Sequence, residues 1–450
     1  MTIASLAKSS VSIAIIAGLA ASAHADVIDW NMPAGGSFNE PTNWFGGTAP
    51  AIDDDTLFAL DGQTYAVDLA ASTAVGGMQV SSDQVTLNLL GNTLTLDNSN
   101  YLGLRLDTGG NLTVRGLGSL RSFDGPDNAA WIVNSGSTLT IADGADVVVS
   151  TGVVNILGSI VVTGGSTFSD DGGIGTFSFF GPATVSDAAS VSARSLNATS
   201  MSVIDASVSG ESVFLSGDTL IDAGSVKAQD YMHVDGTLTM RSGATISGLF
   251  SGFNESFDLA TGAQVRLFGD SSIEATDNDV EIPSMARVLG QGSFKFATIA
   301  NSGSISPGFD SEDDGSAFAT LDLGFGAALS QTAAGIIEID IGGSNPGVNH
   351  DLVLAGTVDS FVGALGGMLD VEFLGFTPLL GDSFDVILFA QAVDWNTIGG
   401  FDSFSVSGLS GGLSASIEYL PDAIRVNVIP APGAMALSFA SVLLSARRRR

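Results

Sequence analysis

The chain's acidic clusters are its clearest candidates for chemistry. Hard oxygen ligands in short loops suit Ca²⁺, and three loops supply them: Asp53-Asp54-Asp55, Asp277-Asn278-Asp279 and Glu312-Asp313-Asp314-Gly315. None has the twelve-residue spacing of an EF-hand or the nine-residue glycine-aspartate repeat of calcium β-rolls. Solvated loop acids are the simpler interpretation. The sequence therefore predicts no dedicated metal site and leaves weak structural calcium binding as a hypothesis.

Catalytic groups do not assemble into a recognisable set. A polysaccharide lyase needs a Lys or Arg base beside an acidic calcium site, and a glycosidase needs two opposed carboxylates. The basic residues of the middle region are scattered singly: Arg105, Arg115, Arg121, Arg194, Lys227, Arg241, Arg266, Arg287 and Lys295. Apart from His24, the histidines are His233 and His350. No Gly-x-Ser-x-Gly elbow in a strand-to-helix context and no Walker loop is recognised. We predict no catalytic, cofactor-binding or metal-ligating residues, and hence no enzyme. A secreted carbohydrate-active enzyme, a polysaccharide lyase or hydrolase built on a β-helix, is the alternative.

The elements that would position any site follow a glycine-led repeat. A glycine is followed within a few residues by alternating apolar positions, with steps of 22 to 30 residues from Gly109 onward. Short alternating strands at such a period indicate a solenoid whose stacked turns share one core. The glycines that begin these units are Gly91, Gly109, Gly136, Gly158, Gly181, Gly210, Gly236, Gly262 and Gly292.

This pattern predicts an all-β fold, specifically a right-handed parallel β-helix, with Leu, Val and Ile facing inward and Thr, Ser and Asn outward. A β-sandwich array with loose repeats is the alternative. We predict five regions along the chain. They are a signal peptide (1–25), an N-terminal cap (26–75), β-solenoid repeats (76–300), a C-terminal β-rich region (301–428) and a sorting tail with a membrane helix (429–450).

The predicted N-terminal cap (26–75) contains Trp30, Asn43-Trp44, Pro50, Asp53-Asp54-Asp55 and Tyr65-Ala66-Val67. This block resembles the opening of autotransporter-like β-helix proteins and of secreted planctomycete surface proteins. The resemblance implies a cap in which Trp30 and Trp44 cover the end of the core, protecting strand edges from association. A sugar-stacking platform is the functional alternative for these tryptophans.

The region after the repeat resembles the last coils of autotransporter passengers. The matching segments are Ser306-Pro307-Gly308, His350-Asp351-Leu352-Val353 and Gly381-Asp382-Ser383-Phe384. His350 stands where the family commonly has tyrosine. A self-translocating autotransporter is disfavoured because no terminal barrel strands are recognised.

The N-terminus has the pattern of a secretory leader. Lys8 precedes an apolar stretch from Val11 to Ala21, and Ala23-His24-Ala25 forms a small-x-small cleavage site. Signal peptidase is therefore expected to cut after Ala25 and leave Asp26 as the first residue. A permanent N-terminal anchor is the alternative.

The last residues combine Pro430-Ala431-Pro432-Gly433, an apolar run to Ala446, and Arg447, Arg448, Arg449 and Arg450. Fourteen helical residues cover about 21 Å, short of the roughly 30 Å hydrocarbon core, and the arginines would stay on the cytoplasmic side. This layout resembles the PEP-CTERM sorting tail, with Ala431 in place of the usual glutamate. The resemblance implies removal by the membrane protease exosortase and a link to exopolysaccharide. An anchor that is never removed is the alternative.

The chain is strongly acidic. The formal net charge is −33, and loss of Lys8 and the four terminal arginines would leave 10 basic against 48 acidic residues, a net charge of −38. Such a surface repels nucleic acid. The chain contains no cysteine, so disulfides do not stabilise it. We expect an exported structural or adhesive protein of the cell surface or extracellular matrix. It would pass the secretion machinery and, transiently, the inner membrane.

Overall fold

Strands make up nearly all of the regular structure. The computed structural model describes residues 26–431 except 98–101, 123–129, 151, 172–174, 249–255, 310–316, 325–327 and 359–364. Within this part, the only helical segments are a 3-10 turn at Pro41–Asn43 and an α-helix at Trp395–Ile398. The prediction of an all-β chain is confirmed.

The first sheet contains sixteen strands, all paired in parallel in the described part of the chain. They are Gly36–Ser37, Thr64–Asp68, Gln84–Asn88, Asn111–Arg115, Thr138–Ala142, Ser159–Val162, Ala183–Ser186, Met201–Ile204, Thr219–Asp222, Thr237–Arg241, Gln264–Leu267, Arg287–Gly290, Ser304–Pro307, Ile336–Ile341, Met368–Phe373 and Ser403–Ser407.

The second sheet contains twenty-six strands. They are Val27–Asp29, Asp55–Phe58, Thr73–Val75, Gly77–Val80, Thr93–Leu96, Leu102–Leu106, Gly118–Ser122, Ala130–Val133, Ala145–Val149, Val153–Ile156, Thr167–Asp170, Thr176–Phe179, Ser190–Ala198, Ser207–Leu215, Ser225–Val234, Thr245–Gly248, Ser256–Leu259, Ser272–Ile282, Gly292–Asn301, Thr320–Asp322, Ala328–Gln331, Leu352–Ala355, Thr357–Val358, Ser383–Phe389, Leu413–Leu420 and Ala423–Pro430.

Most of the second sheet consists of two side-by-side ladders of parallel strands. Several long strands belong to both ladders. Ser190–Ala198 pairs through its first half with Thr167–Asp170 and through its second half with Thr176–Phe179. Most turns of the chain therefore place one strand in the first sheet and then one in each half of the second. This recurrence is consistent with a β-solenoid, as the sequence predicts.

Turn length varies more than the glycine repeat suggests. In the first sheet Asn111 pairs with Thr138, 27 residues on, whereas Ala183 pairs with Met201, 18 residues on. The glycine motifs also precede strands of different ladders: Gly109 leads into the first sheet, but Gly91, Gly210 and Gly292 belong to the second. Because the glycine motif precedes strands of both sheets, the motif alone does not show to which sheet the following strand belongs.

The alternation of apolar and polar residues has the predicted orientation. In Asn111–Arg115, Leu112 and Val114 are fully buried, while Thr113 between them is partly exposed. The same inward row continues through paired residues, Leu112 with Leu139 and then Ile160. One continuous apolar core runs the length of the described strands. At about 25 cal/mol per Å² of buried apolar surface, it is the main stabilising term.

Aromatic residues fill the N-terminal end of this core. Trp30 and Trp44 pack edge to face with centroids 5.0 Å apart, and Trp44 packs likewise on Phe38. Each indole N–H donates to a backbone carbonyl, Trp30 to Met32 at 2.8 Å and Trp44 to Phe38 at 2.7 Å. Both tryptophans are 1% exposed. Burial removes the sugar-stacking alternative, because neither ring offers a face to a ligand.

Asp83 holds the neighbouring loop. Its buried carboxylate accepts hydrogen bonds from the backbone N–H groups of Leu60, Gly62 and Gln63, and from the Tyr65 hydroxyl at 2.7 Å. Burial, followed by the bond to Asp83, raises the pKa of Tyr65 far above its usual value. A single carboxylate thus fixes the loop that joins the first turns of the stack.

The C-terminal end changes strand direction. Ala423–Pro430 pairs antiparallel with both Ser383–Phe389 and Leu413–Leu420, the only antiparallel strand pairs in the described part of the chain. Arg425 and Asp385 join two of these strands through a two-bond ion pair at 2.6 and 3.1 Å. Hydrogen bonding to Asp385 raises the pKa of the Arg425 guanidinium.

The predicted boundaries at residues 75 and 300 lie inside continuous ladders. Thr64–Asp68 pairs with Gln84–Asn88, and Gly292–Asn301 pairs with Ala328–Gln331. The three predicted β regions are therefore joined by hydrogen-bonded strands.

Candidate functional site

An outward-facing cluster on the second sheet is the candidate site. Phe214, Tyr231, His233 and Asp258, here called the aromatic patch, lie on three successive turns of the stack. Phe214 pairs with His233, and His233 pairs with Asp258. Their strand neighbours, among them Val213, point into the core and are fully buried. Period-two alternation therefore turns the patch side chains toward solvent.

The rings of the aromatic patch contact one another. Phe214 and Tyr231 have centroids 5.2 Å apart, and Tyr231 and His233 lie nearly parallel, with 7° between their planes and 6.2 Å between centroids. Phe214 and His233 are 6.3 Å apart. All three side chains are partly exposed, and Asp258 is exposed. The patch is thus a small aromatic surface with one carboxylate at its edge.

Hydrogen bonds fix the polar edge of the aromatic patch. The Tyr231 hydroxyl donates to Asp258 Oδ2 at 2.8 Å and lies 3.4 Å from His233 Nδ1. Partial burial, followed by the bond to Asp258, raises the pKa of Tyr231 to about 12. The hydroxyl therefore keeps its proton across the physiological range, and its oxygen can still accept a hydrogen bond from a ligand.

A polar pocket of about 140 Å³ opens beside the patch. The Arg194 Nε donates to Glu211 at 2.9 Å, and the Arg194 backbone N–H donates to Asp170 at 3.0 Å. Gln229 also lines the pocket and precedes Tyr231 by two residues. Since successive strand residues advance about 3.3 Å, the pocket and the patch follow one another along the same strands. We call this the polar pocket.

A strand irregularity separates the two features. Gly210 pairs with Ala228, but Ser212 pairs with Tyr231, so Gln229 and Asp230 together oppose the single residue Glu211. Such a β-bulge inserts one residue, twists the strand and redirects the side chains that follow it. Here the bulge comes directly before Tyr231.

Two other surface openings are chemically plainer. A groove of about 490 Å³ on the first sheet includes Arg241, Arg266 and Asp218 among serine and threonine side chains. Arg241 lies over the Phe268 ring at 4.9 Å. A second opening of about 370 Å³ has mostly alanine, glycine and serine walls. Neither groups several carboxylates beside a cation.

Most of the scattered cations form ion pairs, five of them with acids of other turns. Their side chains keep between 31% and 51% exposure, so each pair contributes little to stability. The pairs are Arg115–Asp143, Arg121–Asp146, Arg194–Glu211, Arg287–Glu338 and Lys295–Glu274, with Arg105–Asp107 within one turn.

The predicted processing residues fall mostly outside the described residues. These include Ala23, Ala25, Pro432, Gly433, Arg447, Arg448, Arg449 and Arg450. Pro430 is the last residue of a strand, opposite Leu413, and the Ala431 N–H donates to Gly412 O at 2.7 Å. No helix in the described residues is long and apolar enough to span a membrane; the predicted tail helix lies beyond them.

The acidic loops differ in their local roles. Asp54 accepts a hydrogen bond from the Ala51 N–H at 2.8 Å, which closes a turn. Glu312, Asp313 and Asp314 lie outside the described residues. Across the part of the chain that is described, no group of three or more His, Asp or Glu side chains is arranged to hold a metal ion.

The two histidines beyond the leader differ in setting. His233 belongs to the partly exposed aromatic patch and lies inside the strand Ser225–Val234. His350 is 1% exposed, and its ring nitrogens lie 3.1 Å from Gly343 O and from Asp385 O. These contacts connect the loop that contains Gly343 to the strand Ser383–Phe389, so His350 has a structural role.

No known family description matches this chain, and no curated protein matches it in sequence. Function must therefore be argued from the residues themselves.

Proposed function

We propose that this chain is an exported structural or adhesive protein of the cell surface or extracellular matrix, built as a right-handed parallel β-helix. The observation that carries the proposal is the long stack of parallel strands with an apolar interior and a polar exterior. Such a stack exposes an extended surface to binding partners. The net charge of −33 keeps that surface soluble and directs it away from nucleic acid.

The proposed sorting route runs through both ends of the chain. Secretion machinery and signal peptidase act on residues 1–25, and an exosortase-type protease acts on the PEP-CTERM-like tail at the inner membrane. The position of Pro430 supports this route, because the strand Ala423–Pro430 ends at the first proline of the sorting motif. A protease acting just beyond it would leave the strands of the stack intact. The mature protein would then associate with exopolysaccharide.

Altering the sorting motif is expected to trap the protein before its release. Pro430→Ala together with Pro432→Ala should leave most of the protein in the inner-membrane fraction, at a higher mass than the surface form. Pro421→Ala, an exposed proline in the preceding turn, is the matched control. The measurement is membrane fractionation with immunodetection on intact cells. Equal surface display of all three proteins would contradict the sorting proposal, and an unprocessed cytosolic protein would contradict export.

A carbohydrate-active enzyme is the second candidate, and the polar pocket is the observation that favours it. Asp170 and Glu211 both line that pocket. Asp170 already accepts a hydrogen bond from the backbone N–H of Arg194, and Glu211 accepts one from the Arg194 guanidinium, so both carboxylates are engaged within the chain. A lyase would be favoured by three or more carboxylates that converge beside a Lys or Arg in a groove. The polar pocket has two carboxylates beside one arginine. The structural role is the better supported.

Weak calcium binding remains part of the proposal as a stabilising accessory. The acids of the surface loops would gain from a divalent ion that screens their mutual repulsion. We expect Tm to rise by a few degrees between chelator and millimolar Ca²⁺, with a smaller rise in the same concentration of Mg²⁺. The measurement is thermal unfolding followed by circular dichroism. An identical Tm in chelator and in calcium would contradict the proposed calcium binding.

A further inference from the structure

We propose that the aromatic patch and the polar pocket together form a binding subsite for a neutral pyranose polysaccharide. This inference rests on the proposed association with exopolysaccharide and gives it a location. The ligand chemistry follows from the patch itself: ring faces for the C–H surface of a sugar, and oxygen acceptors for its hydroxyl groups.

The aromatic surface supplies the apolar contact. The face of an aromatic ring is electron-rich, and the C–H groups on one side of a pyranose ring carry partial positive charge. Phe214 and Tyr231 have centroids 5.2 Å apart and ring planes inclined by 48°, so together they offer an angled apolar surface about as wide as one sugar ring. His233 continues the surface at 6.2 Å from Tyr231.

The carboxylate and the hydroxyl supply orientation. Asp258 is exposed and uses one oxygen, Oδ2, to accept from Tyr231. A carboxylate can accept several hydrogen bonds, so Asp258 retains capacity for sugar hydroxyls. Gln229 and Glu211 in the polar pocket add amide and carboxylate groups farther along the strands, where the next sugar of a chain would lie.

The position of the patch argues against a purely structural role. The residues that precede Phe214 in the same row are Asn197, which is partly exposed, and Ser178, which is 7% exposed, and both are polar. Among the described residues of this row, the aromatic side chains of Phe214 and His233 follow on the next two turns. They add nothing to the interior, because Val213 and Met232 already fill the core beneath them. The bulge before Tyr231 is the kind of irregularity often found beside binding sites.

Charge selects a neutral polymer over an acidic one. Asp258, Glu211 and Asp170 border the patch and the pocket, and Arg194 of the pocket lining is already paired with Glu211. Lys227 lies opposite Ser209 on the next strand, so the acids still outnumber the cations here. The chain as a whole carries −33. A uronate or sulfated polymer would be repelled by this field, whereas a neutral glucan or mannan would not.

Affinity gel electrophoresis tests the subsite with the full mature protein. The probes are dextran, hydroxyethylcellulose, galactomannan and, as the anionic polymer, alginate. We expect retardation by at least one neutral polymer and none by alginate. Phe214→Ser with Tyr231→Ser should weaken that binding at least tenfold. Phe45→Ser, which removes a 72% exposed phenylalanine near the N-terminus, should leave it unchanged.

Asp258→Asn provides a second variant that keeps the shape of the side chain. It should weaken binding several-fold without changing the circular dichroism spectrum, so a folding defect in the double variant would not decide the outcome. Retardation by alginate alone, equal binding by all variants, or no binding to any neutral polymer would each overturn the subsite. A surface-displayed protein without sugar binding would refute this inference and leave the proposed function standing, whereas a cytosolic protein would refute the function.

Discussion

Replacing Asp83 by alanine is expected to destabilise the protein by about 3–5 kcal/mol. The variant would leave the N–H groups of Leu60, Gly62 and Gln63 and the Tyr65 hydroxyl without their shared acceptor. Asp83 is fully buried, so water cannot replace it without rearrangement of the loop. Removing one negative charge from this acidic chain would by itself reduce repulsion, which makes a loss of stability more telling.

The measurement is chemical denaturation together with amide hydrogen exchange of the loop. Asp61→Asn is the matched control, because Asp61 is an exposed acid of the same loop and its φ of 55° suits asparagine. Tyr65→Phe should cost roughly 1–2 kcal/mol, since only one of the four bonds is removed. If Asp83→Ala is no less stable than Asp61→Asn, the carboxylate does not hold the first turns together.

Raising the pH from 5 to 9 is expected to destabilise the folded protein by a few kcal/mol through Asp351. This side chain is fully buried, and burial raises its pKa from 3.8 to about 8, against the opposing effect of hydrogen bonds from the Asp340 and Ala319 N–H groups. The folded protein therefore retains a proton that the unfolded chain releases near pH 4. Unfolding between these values releases the proton, so stability falls as pH rises. The full span would correspond to at most about 6 kcal/mol.

Asp351→Asn isolates this contribution, because asparagine cannot ionise. Its amide can still accept from one of the two N–H groups, so we expect a moderate loss of stability at pH 5 and a flatter dependence up to pH 9. Urea unfolding at several pH values, with Asp218→Asn as an exposed-acid control, measures both effects. Parallel pH profiles for the wild type and Asp351→Asn would show that Asp351 is ionised in the folded state.

Local alternation made the fold class predictable. In Asn111–Arg115 the order polar, Leu112, polar, Val114 determines which side faces the core, and the strand behaves as expected. The ladder assignment was not predictable, because glycine precedes strands of every ladder. Turn length also varies, from 18 residues between Ala183 and Met201 to 35 between Met368 and Ser403. A fixed period therefore cannot align strands across turns.

The aromatic patch left a signal that sequence reasoning could have used. In Tyr231-Met232-His233-Val234, the apolar Met232 and Val234 imply that Tyr231 and His233 face outward. What the sequence could not show is that Phe214 and Asp258, each separated from them by a full turn, lie beside these rings. The bulge before Tyr231 changes the register, and no local pattern encodes it. The roles of Asp83 and Asp351 were hidden for the same reason, since their partners lie on other turns or strands.

We propose that a folded stack of strands is carried to the cell surface between two removable segments. Intact-protein mass spectrometry of the protein extracted from the surface of its native cells tests this most directly. The account predicts a chain that begins at Asp26 and lacks Arg447 to Arg450. A surface protein that retains Arg450, or a full-length chain found in the cytosol with Met1 to Ala25 attached, would contradict it.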